Sequence, residues 1–304
     1  PGQRARWRVQ THGAHDEKTR MTRSFLFVPA DSERKMEKAG SVGADALILD
    51  LEDAVAVEAR PRARGLAADY LQGADNVWVR INPIDTDDST ADLEAVMPGA
   101  PAGIVLPKPR SAADAVTLAG HIGNLEEQHG LEQGSTRIMA LCTEHPEALF
   151  TLDSYIGATP RLEALSWGAE DLAAATGAVA NRDDDGNWLP RFEMARSLCL
   201  FAAAAAEVAA VDTVYTDFRD LEGLLRYASQ ARRDGFSGML AIHPAQVEVI
   251  NAAFEPTADE LERAARIIRL FDENPGAGTV GLDGKMIDRP HLVQARRLLQ
   301  TKGK

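Results

Sequence analysis

The chain has 304 residues, of which 45% are apolar and 26% charged, and its formal charge is −13 at pH 7. A chain of that length can bury a large core, and its apolar share is too high for an intrinsically disordered protein. The acidic balance argues against a nucleic-acid partner, so an anionic ligand would need local positive charge or a bound cation.

The opening residues 1–20, PGQRARWRVQTHGAHDEKTR, are basic, aperiodic and upstream of Met21. Residues 1–22 are therefore expected to form a tail outside the fold, and no secretory apolar segment is visible in them. From Ser24 onward, short and nearly continuously apolar runs alternate with amphipathic stretches. In chain order the runs are SFLFVP, ALILDLE, NVWVRIN, GIVLPK, IMALCT, LEALSWG, VDTVYTD and MLAIHP. Each reads as a strand buried on both faces of a parallel sheet. Between them lie helical patterns such as SERKMEKAGSVG and SAADAVTLAGHIGNLEEQ, the latter with Ser111 and Asp114 as first-turn residues.

Eight such units over residues 23–255 predict an α/β (β/α)8 TIM barrel, with an open doubly wound sheet as the alternative. Cys142 and Cys199 lie in apolar runs without an obvious activating base and read as core residues of a reduced, cytoplasmic protein. The apolar run 198–206 is too short to span a membrane.

Residues 256–304 add a helical stretch, a glycine-rich segment and a final helix, an appendage on the barrel. The segment GAGTVG, beginning at Gly276, satisfies the G-x-G-x-x-G dinucleotide pattern. A nucleotide loop needs a strand before it and a helix after it, and here the order is reversed. TVGL and KMI flanking Asp283-Gly284 instead predict a short hairpin.

Barrel enzymes place their chemistry at the C-terminal ends of the strands. The residues ending the apolar runs are Asp50, Glu52 and Asp53, then Arg80 and Asn82, Lys108, Glu144, Glu170 and Asp171, Asp217, and His243. Carboxylates crowded in this way take up protons or bind a cation. Without a Cys/His cluster, a hard oxygen-ligated ion such as Mg2+ fits better than zinc, and spacing alone leaves its ligands open.

Taken in order, RSFLFVPADSERKMEKA, GADALILDLEDAV, VWVRIN, GIVLPK, WGAEDL, VYTDFRD, GFSGMLAIHPAQVEVIN and GKMIDRPH resemble the citrate lyase β-subunit-like CoA-ester lyases of the HpcH/HpaI aldolase/citrate lyase superfamily. The resemblance runs from about Arg23 to Leu299. It implies Mg2+ held by Glu144 and Asp171, acting as a Lewis acid on a small 2-oxo acid such as glyoxylate, pyruvate or oxaloacetate. Arg80 would bind that acid's carboxylate, with an ion pair to Glu52 or Asp53 as its other reading, and those two acids would orient Arg80 or metal-bound water. Lys35 and Lys38, three apart on the first helix, would meet the CoA phosphates, and Asp288 of GKMIDRPH would be the acid/base group.

The same resemblance makes the C-terminal appendage an inter-subunit lid, so a homotrimer or hexamer is expected. The implied reaction is reversible cleavage of a malyl-CoA- or citramalyl-CoA-type 3-hydroxyacyl-CoA to acetyl-CoA and a 2-oxo acid. In the condensation direction, thioester hydrolysis could follow. The alternatives are a citrate lyase β subunit acting on a citryl acyl-carrier protein, and a non-catalytic oxo-acid-binding paralogue. One departure stands out: much of the family has Glu-Thr after the fifth strand, whereas this chain reads ALCTEHPEALF. A slipped register there would turn Glu144 away and leave Glu147 as the weaker candidate, with His145 as a local hydrogen-bonding residue.

Overall fold

A computed structural model of the chain describes residues 22–302, so the expected tail, apart from Thr22, lies outside the described residues. The described chain forms two compact units, meeting in sequence at residues 255 and 256. In the larger one, β1 (Ser24–Pro29), α1 (Glu33–Ala39), β2 (Ala46–Asp50), α2 (Arg60–Leu71), β3 (Val77–Arg80), α3 (Asp87–Val96) and β4 (Gly103–Leu106) begin the alternation. It continues through α4 (Ala112–His129), β5 (Arg137–Leu141), β6 (Leu162–Ser166), α5 (Ala169–Thr176), α6 (Pro190–Ala205) and β7 (Ala209–Asp212). It ends with α7 (Leu221–Asp234), β8 (Gly238–Ala241) and α8 (Pro244–Phe254).

The eight strands pair in parallel, each with the next, and β8 closes onto β1. Closure excludes the open sheet. The apolar runs are continuous because successive side chains face different cores. Phe25, Ile48, Trp78, Val105, Met139, Val211 and Leu240 fill the barrel interior, while Leu26, Leu49, Val79, Ile104, Ala140 and Leu165 pack outward with the helices. Trp78 meets Phe25 edge-on at 5.9 Å. A Cβ on Gly103 would lie 2.3 Å from the Trp78 ring, which is why β4 opens on glycine.

Ser111 caps α4 as expected by accepting from Ala113 N–H, and α4 ends at Gly130 in the left-handed region. Cys142 and Cys199 are both buried free thiols. One strand differs from expectation. VDTVYTD was predicted to run to Asp217, but β7 starts two residues earlier and stops at Asp212. The buried Asp212 carboxylate accepts from Trp167 Nε1, the Arg196 guanidinium and the next backbone N–H, Thr213, so the chain is held and turned there.

The smaller unit contains α9 (Ala258–Glu273), β9 (Thr279–Leu282), β10 (Lys285–Asp288) and α10 (Arg289–Lys302). Its own core includes Ala264, Ile267, Phe271, Leu282, Ile287, Leu292 and Ala295. β9 and β10 form the expected hairpin, and its two central residues, Asp283 and Gly284, both have left-handed φ, 51° and 74°. The glycine-rich stretch is thus a turn and a strand, not a phosphate cradle. Among the described residues no helix is long and apolar enough to cross a membrane.

Candidate active site

Parallel register sets Asp50 at the end of β2 directly beside Arg80 at the end of β3. Their side chains make a two-pronged ion pair, Nε to Oδ1 at 2.8 Å and Nη2 to Oδ2 at 2.6 Å. The third nitrogen, Nη1, lies 3.0 Å from Glu52 and 3.9 Å from Asp53, and Phe27 stacks 4.7 Å from the guanidinium carbon. Burial disfavours the Arg80 charge, but the Asp50 contacts and the Glu52 and Glu144 charges outweigh it and raise its pKa. The ion pairs expected with Glu52 and Asp53 are present, but the principal partner is Asp50.

Glu144 follows β5 and is buried. The β5–β6 pairing shifts by one residue between Ile138 and Met139, yet beyond the shift Cys142 N–H donates to Ser166 O, Thr143 Oγ1 accepts from Gly168 N–H, and Glu144 still lines the cavity. Glu144 Oε2 accepts from the backbone N–H of Lys108 at 2.6 Å. Burial, followed by the nearby Asp171 and Glu52 charges, pushes the Glu144 carboxyl up to about 8. A Cβ on Gly168 would sit 2.5 Å from Glu144 Cγ, so this glycine makes room for the glutamate. Glu147 is exposed and pairs with Arg110. His145 precedes the short 3-10 turn at Pro146–Phe150, where its side chain makes no capping bond and its carbonyl accepts from Ala148 N–H.

Asp171 lies in the first turn of α5. Asp50, Asp53, Arg80, Glu144 and Asp171 line one cavity of about 430 Å³, walled on its apolar side by Phe27, Leu141, Trp167 and Leu240. Lys108 spans the acids: its Nζ is 2.6 Å from Glu52, 3.1 Å from Asp53 and 3.4 Å from Asp171. Burial raises the Glu52 carboxyl despite both neighbouring cations.

A second cleft of about 340 Å³ is lined by Lys35, Lys38 and His243. It shares Phe27, Pro29 and Ile242 with the first, so the two adjoin. His243 caps α8 and stacks on Phe218 at 4.7 Å. Asn82 is structural, buried and bonded to Leu51 O and Asp92. Asp217 accepts from Arg219 N–H in the loop beyond β7. Asp288 closes β10 in the smaller unit, and its Oδ1 lies 2.5 Å from His291 Nδ1. That hydrogen bond from His291 holds the Asp288 carboxyl below the usual carboxylate range.

Asp50, Lys108 and Gly168 are the residues the sequence reading passed over as site residues. Asp50 and Lys108 were visible as polar ends of apolar runs, but their partners emerge only from barrel register.

Residues 23–244 match the family model HpcH/HpaI aldolase/citrate lyase. A (3S)-malyl-CoA thioesterase from Cereibacter sphaeroides is 37% identical over 283 residues, covering 91% of this chain and 93% of that protein. The citrate lyase subunit β of Leuconostoc mesenteroides subsp. cremoris is 33% identical and covers 92% of this chain and 93% of its own length. Among solved structures, CitE from Mycobacterium tuberculosis in complex with magnesium, acetoacetate and coenzyme A superimposes with a TM-score of 0.79 at 32% identity, covering 93% of this chain and 99% of that one. The chain belongs to the HpcH/HpaI aldolase/citrate lyase family, among its citrate lyase β-subunit-like members.

Proposed function

We propose that this protein is a Mg2+-dependent CoA-ester lyase that reversibly cleaves a malyl-CoA- or citramalyl-CoA-type 3-hydroxyacyl-CoA to acetyl-CoA and a 2-oxo acid. The observation that carries the reading is the cavity where Glu144, Asp171 and Arg80 meet, beside a cleft bearing Lys35 and Lys38. The magnesium, acetoacetate and coenzyme A bound by the mycobacterial relative support it.

The donor set fits the ion. Among the described residues no three His, Cys, Asp or Glu side chains form a ready-made metal cage. Two carboxylates with open positions are what Mg2+ uses when substrate oxygens and water complete its shell. Glu144, buried among other acids and driven toward protonation, is a carboxyl whose charged form a cation would stabilise. Bound there, Mg2+ would supply Lewis-acid polarisation of the oxo-acid carbonyl.

The chain's own residues do the rest. Asp50 fixes the plane of Arg80, whose remaining N–H bonds receive the oxo-acid carboxylate, and Glu52 and Asp53 orient the same guanidinium. Lys35 and Lys38 take the CoA phosphates. Residues 256–304 act as the lid segment, across subunits of a trimer or hexamer, and carry Asp288. In cleavage the 3-hydroxyl gives up its proton to water and its oxygen becomes the oxo-acid carbonyl, the C2–C3 bond breaks, its electron pair forms the acetyl-CoA enolate, and protonated Asp288 gives its proton to the enolate carbon. In condensation Asp288 takes that proton from the acetyl methyl group. The His291 contact favours the ionised Asp288 that condensation needs as its base, and cleavage starts from the protonated form.

A second reading, hydrolysis of malyl-CoA to malate and free CoA, is favoured by the malyl-CoA thioesterase at 37% identity. Incubating the protein with Mg2+ and malyl-, citramalyl- and citryl-CoA separates the two. Acetyl-CoA and a 2-oxo acid in equal amounts support the lyase, and hydroxy-acid and free CoA without oxo acid support the thioesterase. No turnover on any ester, with turnover on a citryl acyl-carrier protein, would make it a citrate lyase subunit. No turnover on either would favour a binding protein.

A further inference from the structure

Lys108 is the second cation in the carboxylate cluster, beside Arg80. Asp50, Asp53, Glu144 and Asp171 line one cavity and Glu52 adjoins them, yet Arg80 is committed to Asp50 on two prongs and to Glu52 on the third. Lys108 Nζ reaches Asp171, 3.4 Å away, and also bridges Glu52 and Asp53. The same residue holds Glu144 through its backbone N–H at 2.6 Å. One residue therefore touches both carboxylates read above as the magnesium pair, one through its main chain and one through its side chain.

Its backbone is unusual as well. Lys108 has φ of 51°, a left-handed conformation that a non-glycine residue rarely adopts, and it sits between Pro107 and Pro109. Such local strain persists only where the surroundings enforce it, and it gathers at functional sites. Here it aims the Lys108 N–H at Glu144 while the four-carbon stem swings over to Asp171.

Resting on that magnesium reading, we propose that Lys108 is a placeholder: its ammonium, held at Glu52 and Asp53, stands in for the divalent cation at Asp171 and gives up that contact when the ion binds. A divalent ion at Glu144 and Asp171 and an ammonium at Asp171 repel each other, so the two compete for the same carboxylate. The arrangement keeps the acids together and partly neutralised between turnovers. It also weakens the ion's hold until an oxo acid adds its own oxygens. Lys108 is thus a positioning residue that acts through Asp171.

The test is direct calorimetric titration of Mn2+ or Mg2+ into the full-length protein without oxo acid, comparing wild type with Lys108→Met and Lys108→Gly. Glycine keeps the N–H donor and accepts the left-handed backbone, so it removes the ammonium alone. Both variants are expected to bind the ion roughly tenfold tighter or more, since a unit charge at this range outweighs that factor even near a protein surface. Unchanged or weaker binding by folded Lys108→Gly would overturn the placeholder role, because a purely organising lysine predicts a loss. Adding Glu144→Gln to Lys108→Gly should abolish the gain. A gain that persists in the double variant would instead count against Glu144 as a ligand.

Discussion

At the scale of single residues, the site depends on a few tightly placed groups. Arg80 is useful because Asp50 has already fixed two of its nitrogens at 2.8 and 2.6 Å. Arg80→Lys should lower kcat/KM by about a hundredfold, as a planar fork is replaced by a point charge and about 2–3 kcal/mol of charged hydrogen bonding is lost. Asp50→Asn should mainly raise the KM for the oxo acid, measured in the condensation direction; an unchanged KM would argue that Arg80 needs no such brace. Asp288→Asn should cut turnover while leaving oxo-acid binding nearly intact, as single-turnover and equilibrium-binding measurements can compare. At this scale the sequence revealed the residue types at the rim, since each ended an apolar run. It did not reveal partnerships: Asp50 and Arg80 are 30 positions apart and meet only because β2 and β3 run in register.

At the scale of elements, two features hold the site and the barrel in place. Gly168, between β6 and α5, leaves room for Glu144, and Gly168→Ala would thrust a methyl group to 2.5 Å from its Cγ. That variant should weaken divalent-ion binding with little change in far-UV dichroism. At the opposite end of the barrel, the buried Glu126 of α4 accepts from Gly134 and Thr136 N–H and pairs with Arg161 at 2.5 Å. Burial works against its charge, but Arg161 and the two N–H donors prevail and hold its carboxyl down at about 2. A carboxyl lowered by folding stabilises the fold above its ordinary unfolded value near 4.5, and that stability disappears as pH falls from there towards about 2. Glu126→Gln should therefore cost about 3 kcal/mol at neutral pH and flatten the acid-unfolding curve between those values, as denaturant titrations at several pH values would reveal. Strand starts were readable to within one residue in seven of the eight runs, whereas most runs overshoot the strand's end by two or three residues. VDTVYTD misled because its apolar alternation continues past Asp212, and nothing local announces that Trp167 and Arg196 anchor that aspartate.

At the scale of the whole molecule, alternation of short apolar runs with amphipathic ones pointed to a parallel β/α fold buried on both faces, and the count of eight units favoured a barrel over an open sheet. The C-terminal hairpin was equally readable from Asp283-Gly284, whose left-handed pair no other short turn needs. Substrate identity was not readable, since one methyl group separates glyoxylate from pyruvate and is worth only about 1–3 kcal/mol of discrimination. The proposed trimer or hexamer should be seen by light scattering of the full-length protein. Removal of residues 256–304 should abolish turnover while leaving the barrel folded, if those residues bring Asp288 to the reaction.

The most direct measurement is calorimetric binding of oxaloacetate or pyruvate with and without Mg2+, to wild type, Glu144→Gln and Asp171→Asn. The account predicts binding that requires Mg2+ in the wild type and is weakened at least tenfold in both variants at a fixed Mg2+ concentration. Oxo-acid binding that is indifferent to Mg2+, or that survives unchanged in the two variants, would contradict it.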